Sequence, residues 1–144
     1  MKQVIVALDG SYNSHRALIA GADLARAMGR DLVLLYVYPY SPGVSATMAG
    51  LEPMNAEQLE KHQKSQAREV FDNAIAELGS RCKVADRVLL IGDPAEEIIN
   101  YMEGRKETHL VLGRRGLSKI KSLLLGSVSD KVTRHADGMV TVVS

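Results

Sequence analysis

The chain has a single cysteine, Cys82, so it can form no internal disulfide and no metal site built on thiolates; a reducing compartment suits it. Long apolar runs are also missing. No stretch approaches the ~20 residues that a membrane helix needs. The first apolar run, Val4 to Leu8, is too short for a secretory signal and is broken by Asp9-Gly10-Ser11. A cytoplasmic location with no membrane partner is the expectation. An excess of one charge sign is absent as well: the formal net charge of +1 gives no general attraction to nucleic acid. Neither Gly-Lys-Ser nor Gly-Lys-Thr occurs, which rules out the Walker phosphate loop. The histidines His15, His62, His109 and His135 never adopt a metal-ligand spacing, and surface or capping roles are expected of them. No local serine, histidine and acid arrangement suggests a hydrolase. The methionines are scattered and are expected to fill gaps in the core. Cys82 lies between Arg81 and Lys83, a setting that could lower a thiol pKa, although an inert thiol is the commoner outcome.

What the chain does have is alternation. At 144 residues, 46% of them hydrophobic, it is long enough for one domain, 1–144, with a core that needs no staples. Short continuous apolar runs, expected of strands covered on both faces, occur at Val4–Leu8, Leu32–Tyr38, Arg87–Ile91, His109–Leu112 and Met139–Val143. Between them lie helical patterns. Ala17, Gly21, Leu24, Ala25 and Met28 form one stripe, closed by Gly29. Ala67, Val70, Phe71, Ala74, Ile75 and Leu78 form a second, ahead of Gly79. Asp93 and Pro94 suit the N-cap and first position of a third, and a fourth is expected near 126–135. Strand and helix in strict alternation predict an α/β fold: an open five-stranded parallel sheet with helices on both faces. Ligands of such sheets bind beyond the carboxyl ends of strands, where the winding reverses. If the first and fourth strands are neighbours there, Asp9 and Gly113 face one crevice. Residues 39–55 hold three of the four prolines and show no periodicity; they read as a mobile surface loop or as a lid.

The segment after the fourth strand is distinctive. Gly113-Arg114-Arg115-Gly116 is followed, nine residues on, by Gly126-Ser127. Glycine lets a chain turn with positive φ and brings N–H groups close to a ligand. A helix opening at Gly126-Ser127 would add its unpaired N–H groups and the positive end of its dipole. Residues 113–121 carry Arg114, Arg115, Lys119 and Lys121 and no acid. Taken alone, these features fit either a phosphate site or ordinary turn chemistry with a solvated basic loop.

The spacing Gly, two residues, Gly, nine residues, Gly, Ser resembles that of the nucleotide-binding branch of the universal stress protein family. The run Leu123-Leu124-Leu125-Gly126-Ser127-Val128, the opening Val6-Ala7-Leu8-Asp9-Gly10-Ser11, Gly92-Asp93-Pro94 and the valine-rich last strand fit the same family. The resemblance covers essentially the whole chain. It implies an adenine nucleotide alpha hydrolase-like sheet with strand order 3-2-1-4-5. It also implies ATP as ligand, with Mg²⁺ bridging the phosphates. Ala7 and Val37 would line the base, Asp9 would lie near the ribose or adenine, and Leu112 and Gly113 would contact the ribose. Gly116, Gly126, Ser127 and Val128 would offer main-chain N–H groups to the phosphates, with the Ser127 hydroxyl as a further donor. Ser129 would reach the terminal phosphate, and Arg114 and Arg115 would either add charge-assisted contacts or point into solvent. A homodimer through the last strand is implied too, along with a protein partner that the sequence does not identify.

The chain departs from the family pattern at Arg114-Arg115, where many members have serine followed by arginine or histidine. It departs again at Asp137-Gly138-Met139, where a small-residue and proline turn is usual. No residue is evidently placed as a general base for water, so the expectation is an ATP-binding regulatory protein in the stress response, with at most slow hydrolysis or self-phosphorylation. The alternative is a nucleotide-free homodimeric interaction module. An ATP-using enzyme would need a second substrate site, for which 144 residues leave little room.

Overall fold

The computed structural model describes residues 2–40, 54–114 and 126–144. Along the chain these form β1 (Gln3–Leu8), α1 (Tyr12–Met28), β2 (Asp31–Pro39), α2 (Ala56–Leu78), β3 (Val84–Gly92), α3 (Pro94–Met102), β4 (His109–Gly113), α4 (Ser127–His135) and β5 (Met139–Val143). The strands make one sheet in the order β3-β2-β1-β4-β5, and every pairing is parallel. The winding therefore reverses at β1, and β1 and β4 are neighbours as expected. The segment 41–53, with the lid it could form, and residues 115–125, which include Arg115 and Gly116, lie outside the described residues.

The unbroken apolar runs follow from burial on both faces. Val4, Val6, Leu8, Leu32, Leu34 and Tyr36 pack against α1 and α2. Ile5, Val33, Leu35, Val37, Leu110 and Leu112 alternate with them and pack against α3 and α4. Helix α1 lies unusually close to the sheet, because a Cβ at Gly21 would run into Val6 Cγ2. Ser11 caps α1, its Oγ accepting from Ser14 N–H at 3.1 Å, and Asp93 caps α3 in the same way through Glu96 N–H at 3.0 Å.

Helix α2 begins eleven residues before its apolar stripe. Asn55 and Gln58 close a capping box, and Glu57–Lys61 and Glu60–Lys64 pair one turn apart, so a largely polar segment is helical although its inward face holds Gln63 and the Tyr38-bonded His62 rather than an apolar stripe. The departure at Asp137-Gly138-Met139 leaves β5 undisturbed. Asp137 Oδ2 accepts from Gly104 N–H, Met139 N–H donates to Thr108 C=O, and the β4–β5 register runs from His109↔Met139 to Gly113↔Val143. Met102 is buried in the core as expected, whereas Met28, Met54 and Met139 are exposed. Among the described residues no helix is long and apolar enough to cross a membrane.

Candidate functional site

The carboxyl ends of β1, β2 and β4 and the amino ends of α3 and α4 enclose a cavity of about 280 Å³. Nine of the eleven site residues expected from the sequence line it: Ala7, Asp9, Val37, Leu112, Gly113, Gly126, Ser127, Val128 and Ser129. Arg115 and Gly116 lie outside the described residues. One wall is apolar, made by Ala7, Leu35, Val37, Leu112 and Ile98. Parallel register explains it, since Ala7 pairs with Leu35 and these side chains share the face that packs on α3 and α4.

The opposite wall is the start of α4. Gly126 is its N-cap, with φ −69° and ψ 164°, and no side chain caps the helix. That backbone is open to any residue, so the glycine is not there for a left-handed turn. Its effect is to leave the N–H groups of the first turn without a capping hydroxyl or carboxylate. Ser127 is exposed and Val128 half-buried, so their N–H groups lie at the cavity wall with the helix dipole behind them. The N–H of Gly126 itself is engaged, donating to Arg114 C=O at 2.7 Å.

Two expected side chains are partly committed. Asp9 Oδ1 accepts from Ser11 N–H at 2.8 Å, a turn bond that leaves Oδ2 without a hydrogen bond among the described residues. Ser129 is buried and its hydroxyl donates to Arg114 C=O at 2.6 Å, with Gly126 C=O at 3.1 Å. Arg114 Nε is buried and has no partner among the described residues, so that nitrogen does not point into solvent. Gly113 is placed by packing, because a Cβ there would come 2.8 Å from the carbonyl carbon of Asn13 in the first turn of α1.

A second cavity, of about 500 Å³, opens between α1 and α2 on the other side of the β1 end and shares Leu8, Asp9, Ser14 and Tyr36 with the first. Its walls carry Asp9, Glu69 and Glu77, and His15 pairs with Glu77 at 3.2 Å. Among the described residues these three carboxylates face no lysine or arginine in its lining, so it disfavours anions. Among the described residues Asp9 is the one carboxylate lining the first cavity, and the amino end of α4 faces it. The buried Tyr36 phenol has its pKa pushed up by desolvation, and the Tyr38 and Asp9 charges add to the shift, so it stays protonated.

Sequence reasoning missed Leu35, Tyr36, Pro39, Pro94 and Ile98 as lining residues. The signal was available in strand register and in the Asp93-Pro94 cap, which starts α3 directly at the carboxyl end of β3. The basic neighbours of Cys82 do not lower its thiol pKa. Burial pushes the thiol up, outweighing the nearby Arg26, while Asp23 raises it further. Among the described residues no three His, Cys, Asp or Glu side chains converge as a metal cage.

A sequence model of the Universal stress protein family matches residues 1–144. The chain belongs to this family. It is 34% identical over 142 residues to a universal stress protein of Thermus aquaticus, an alignment covering 99% of this chain and 98% of the relative. A universal stress protein solved in complex with cAMP superposes with a TM-score of 0.64 at 26% identity, covering 99% of this chain and 96% of the other. The universal stress protein of Archaeoglobus fulgidus, solved in complex with dAMP, gives a TM-score of 0.68 at 19% identity, covering 100% of this chain and 98% of that one, and shows the shared fold. For this universal stress protein, the parallel sheet in the order 3-2-1-4-5 is thus both the expected and the observed architecture.

Proposed function

We propose that this universal stress protein binds ATP at the crevice between β1, β4 and α4. The observation that carries the reading is the uncapped amino end of α4 facing an apolar slot across one small cavity. An adenine ring suits the slot made by Ala7, Val37 and Leu112, because small apolar side chains on strand ends leave room for a flat heterocycle. The free Oδ2 of Asp9 can accept from a ribose hydroxyl, and Leu112 and Gly113 lie where the ribose would rest. The N–H groups of Ser127 and Val128 supply donors for phosphate, with the Ser127 hydroxyl beside them. A volume of about 280 Å³ suits a nucleoside, so the phosphates extend outward past the amino end of α4. The relative in complex with cAMP supports an adenine nucleotide as the ligand class.

Mg²⁺ enters this reading through the phosphates, since such ions usually retain water and substrate oxygens as ligands. The reading makes the domain a holder of nucleotide whose bound state signals to a protein partner in the cytoplasm. A homodimer through β5 is part of it. Of the two sheet edges, β3 carries Asp86 and Arg87 and an irregular register against β2, both of which discourage pairing, whereas β5 has no charged residue.

Thermal unfolding with and without ATP and Mg²⁺ tests the reading. A ligand at a hundred times its Kd adds about 2.7 kcal/mol of stability, so the Tm should climb with ATP concentration. A Tm unmoved by millimolar ATP would overturn it.

A further inference from the structure

We infer that Ser129 is the clasp that ties the nucleotide-binding end of α4 to the carboxyl end of β5, rather than a ligand of the phosphate. The inference rests on the proposed ATP site and deepens it. Three hydrogen bonds meet at Arg114. Its N–H donates to Val143 C=O at 2.7 Å, one residue past the last β4–β5 register pair, Gly113↔Val143. Its C=O accepts from Gly126 N–H at 2.7 Å and from the Ser129 hydroxyl at 2.6 Å. The same hydroxyl faces Gly126 C=O at 3.1 Å.

A hydroxyl carries one hydrogen, and the shorter contact shows where it goes. Both acceptor directions of the Arg114 carbonyl are then filled, and residues 114 and 126 are held together on either side of the glycine-rich segment. Ser129 is buried and sits at the third position of α4, in the same first turn as the uncapped N–H groups of Ser127 and Val128. Anything that fixes this first turn also fixes the Arg114 carbonyl, and the N–H of the same residue holds the end of β5. The path runs from Ser127 and Val128 through Ser129 and Arg114 to Val143, and each link is a single short hydrogen bond or a helical turn. Ser129 is therefore a positioning residue. It presets the anion-binding amino end of α4 and transmits its state to the edge strand.

The test compares the whole chain with its Ser129→Ala and Ser129→Thr variants by amide hydrogen exchange and by calorimetric titration with ATP and Mg²⁺. Without nucleotide, Ser129→Ala should speed exchange at the Gly126 and Arg114 amides about tenfold while β1 and β2 amides keep their protection. Its ATP affinity should fall about five- to tenfold, the size of one lost hydrogen bond. Ser129→Thr, which keeps the hydroxyl, should restore both. In the parent chain ATP should slow exchange at Arg114, and Ser129→Ala should lose that slowing while still binding ATP. Unchanged exchange at Gly126 and Arg114 in Ser129→Ala would overturn the clasp, as would unchanged affinity. A parent chain that binds no ATP overturns the ATP site instead, and the exchange comparison still decides the clasp.

Discussion

Gly113, the last residue of β4, touches the backbone of Asn13 in the first turn of α1, so closely that a Cβ at position 113 would lie 2.8 Å from the Asn13 carbonyl carbon. This contact brings together the two segments that frame the crevice, the end of β4 and the turn that follows β1. Gly113→Ala should force them apart. Overpacking of this kind costs about 1–3 kcal/mol. Urea denaturation should show that loss, and ATP affinity should fall with it because the ribose wall has moved.

The apolar slot can be filled from β1. Ala7 is half-buried at the cavity, on the face shared with Leu35 and Val37. Ala7→Leu should leave thermal stability close to that of the parent chain and reduce ATP affinity at least tenfold, on the order of the loss from one group that blocks a snug pocket. Calorimetry on folded protein checks it, and undiminished affinity would remove the base from this slot.

Phosphate donors on α4 can be deleted without breaking the helix. Ser127 is the first helical residue, where proline is tolerated, and Gly126 already has the extended backbone that precedes proline. Ser127→Pro removes one N–H and one hydroxyl. A hydrogen bond to a charged group is worth about 1.5–3 kcal/mol, so ATP should bind about tenfold to a hundredfold more weakly. AMP, lacking the outer phosphates, should be affected less.

His109 should make stability fall in mild acid. Its Nε2 meets Thr141 Oγ1 at 2.6 Å, and its Nδ1 is buried without a partner among the described residues. Burial first, and the nearby Arg30 charge second, hold its pKa below the usual value of 6.5. The unfolded chain then takes up the proton before the folded chain does. Stability should be fully present above pH 6.5 and should decline as pH falls from there through the lowered folded value. Urea midpoints between pH 7.5 and 5 check the slope, which His109→Gln should flatten.

Cys82 should react slowly. Desolvation raises its pKa, and its Sγ also contacts Lys83 C=O at 3.7 Å. At pH 7 iodoacetamide should alkylate the folded chain more slowly than a free thiol, and denaturant should remove the difference.

The sequence made the sheet legible because burial on both faces writes continuous apolar runs, and Val4–Leu8 or Leu32–Tyr38 can be little else. Helix ends were legible where glycine or Asp-Pro marks them, as at Gly29 and Asp93-Pro94. The first three turns of α2 were not, because their order comes from the Asn55–Gln58 box and from ion pairs rather than from an apolar stripe. At the site, the motif residues were legible by spacing. Their individual commitments were hidden: which donor Gly126 keeps, and where the Ser129 hydrogen points, depend on Arg114 reaching back from β4. Tyr36, Pro94 and Ile98 were missed because they join the cavity through sheet register and not through any local pattern.

Amide chemical-shift mapping of the ¹⁵N-labelled chain during titration with ATP and Mg²⁺ tests the central claim most directly. The account predicts saturable shifts concentrated at Ser127, Val128, Gly113 and Ala7, with the α2 wall of the acidic cavity at Gln66, Asn73 and Glu77 left unmoved. No shifts at millimolar ATP, or shifts centred on that α2 wall, would contradict it.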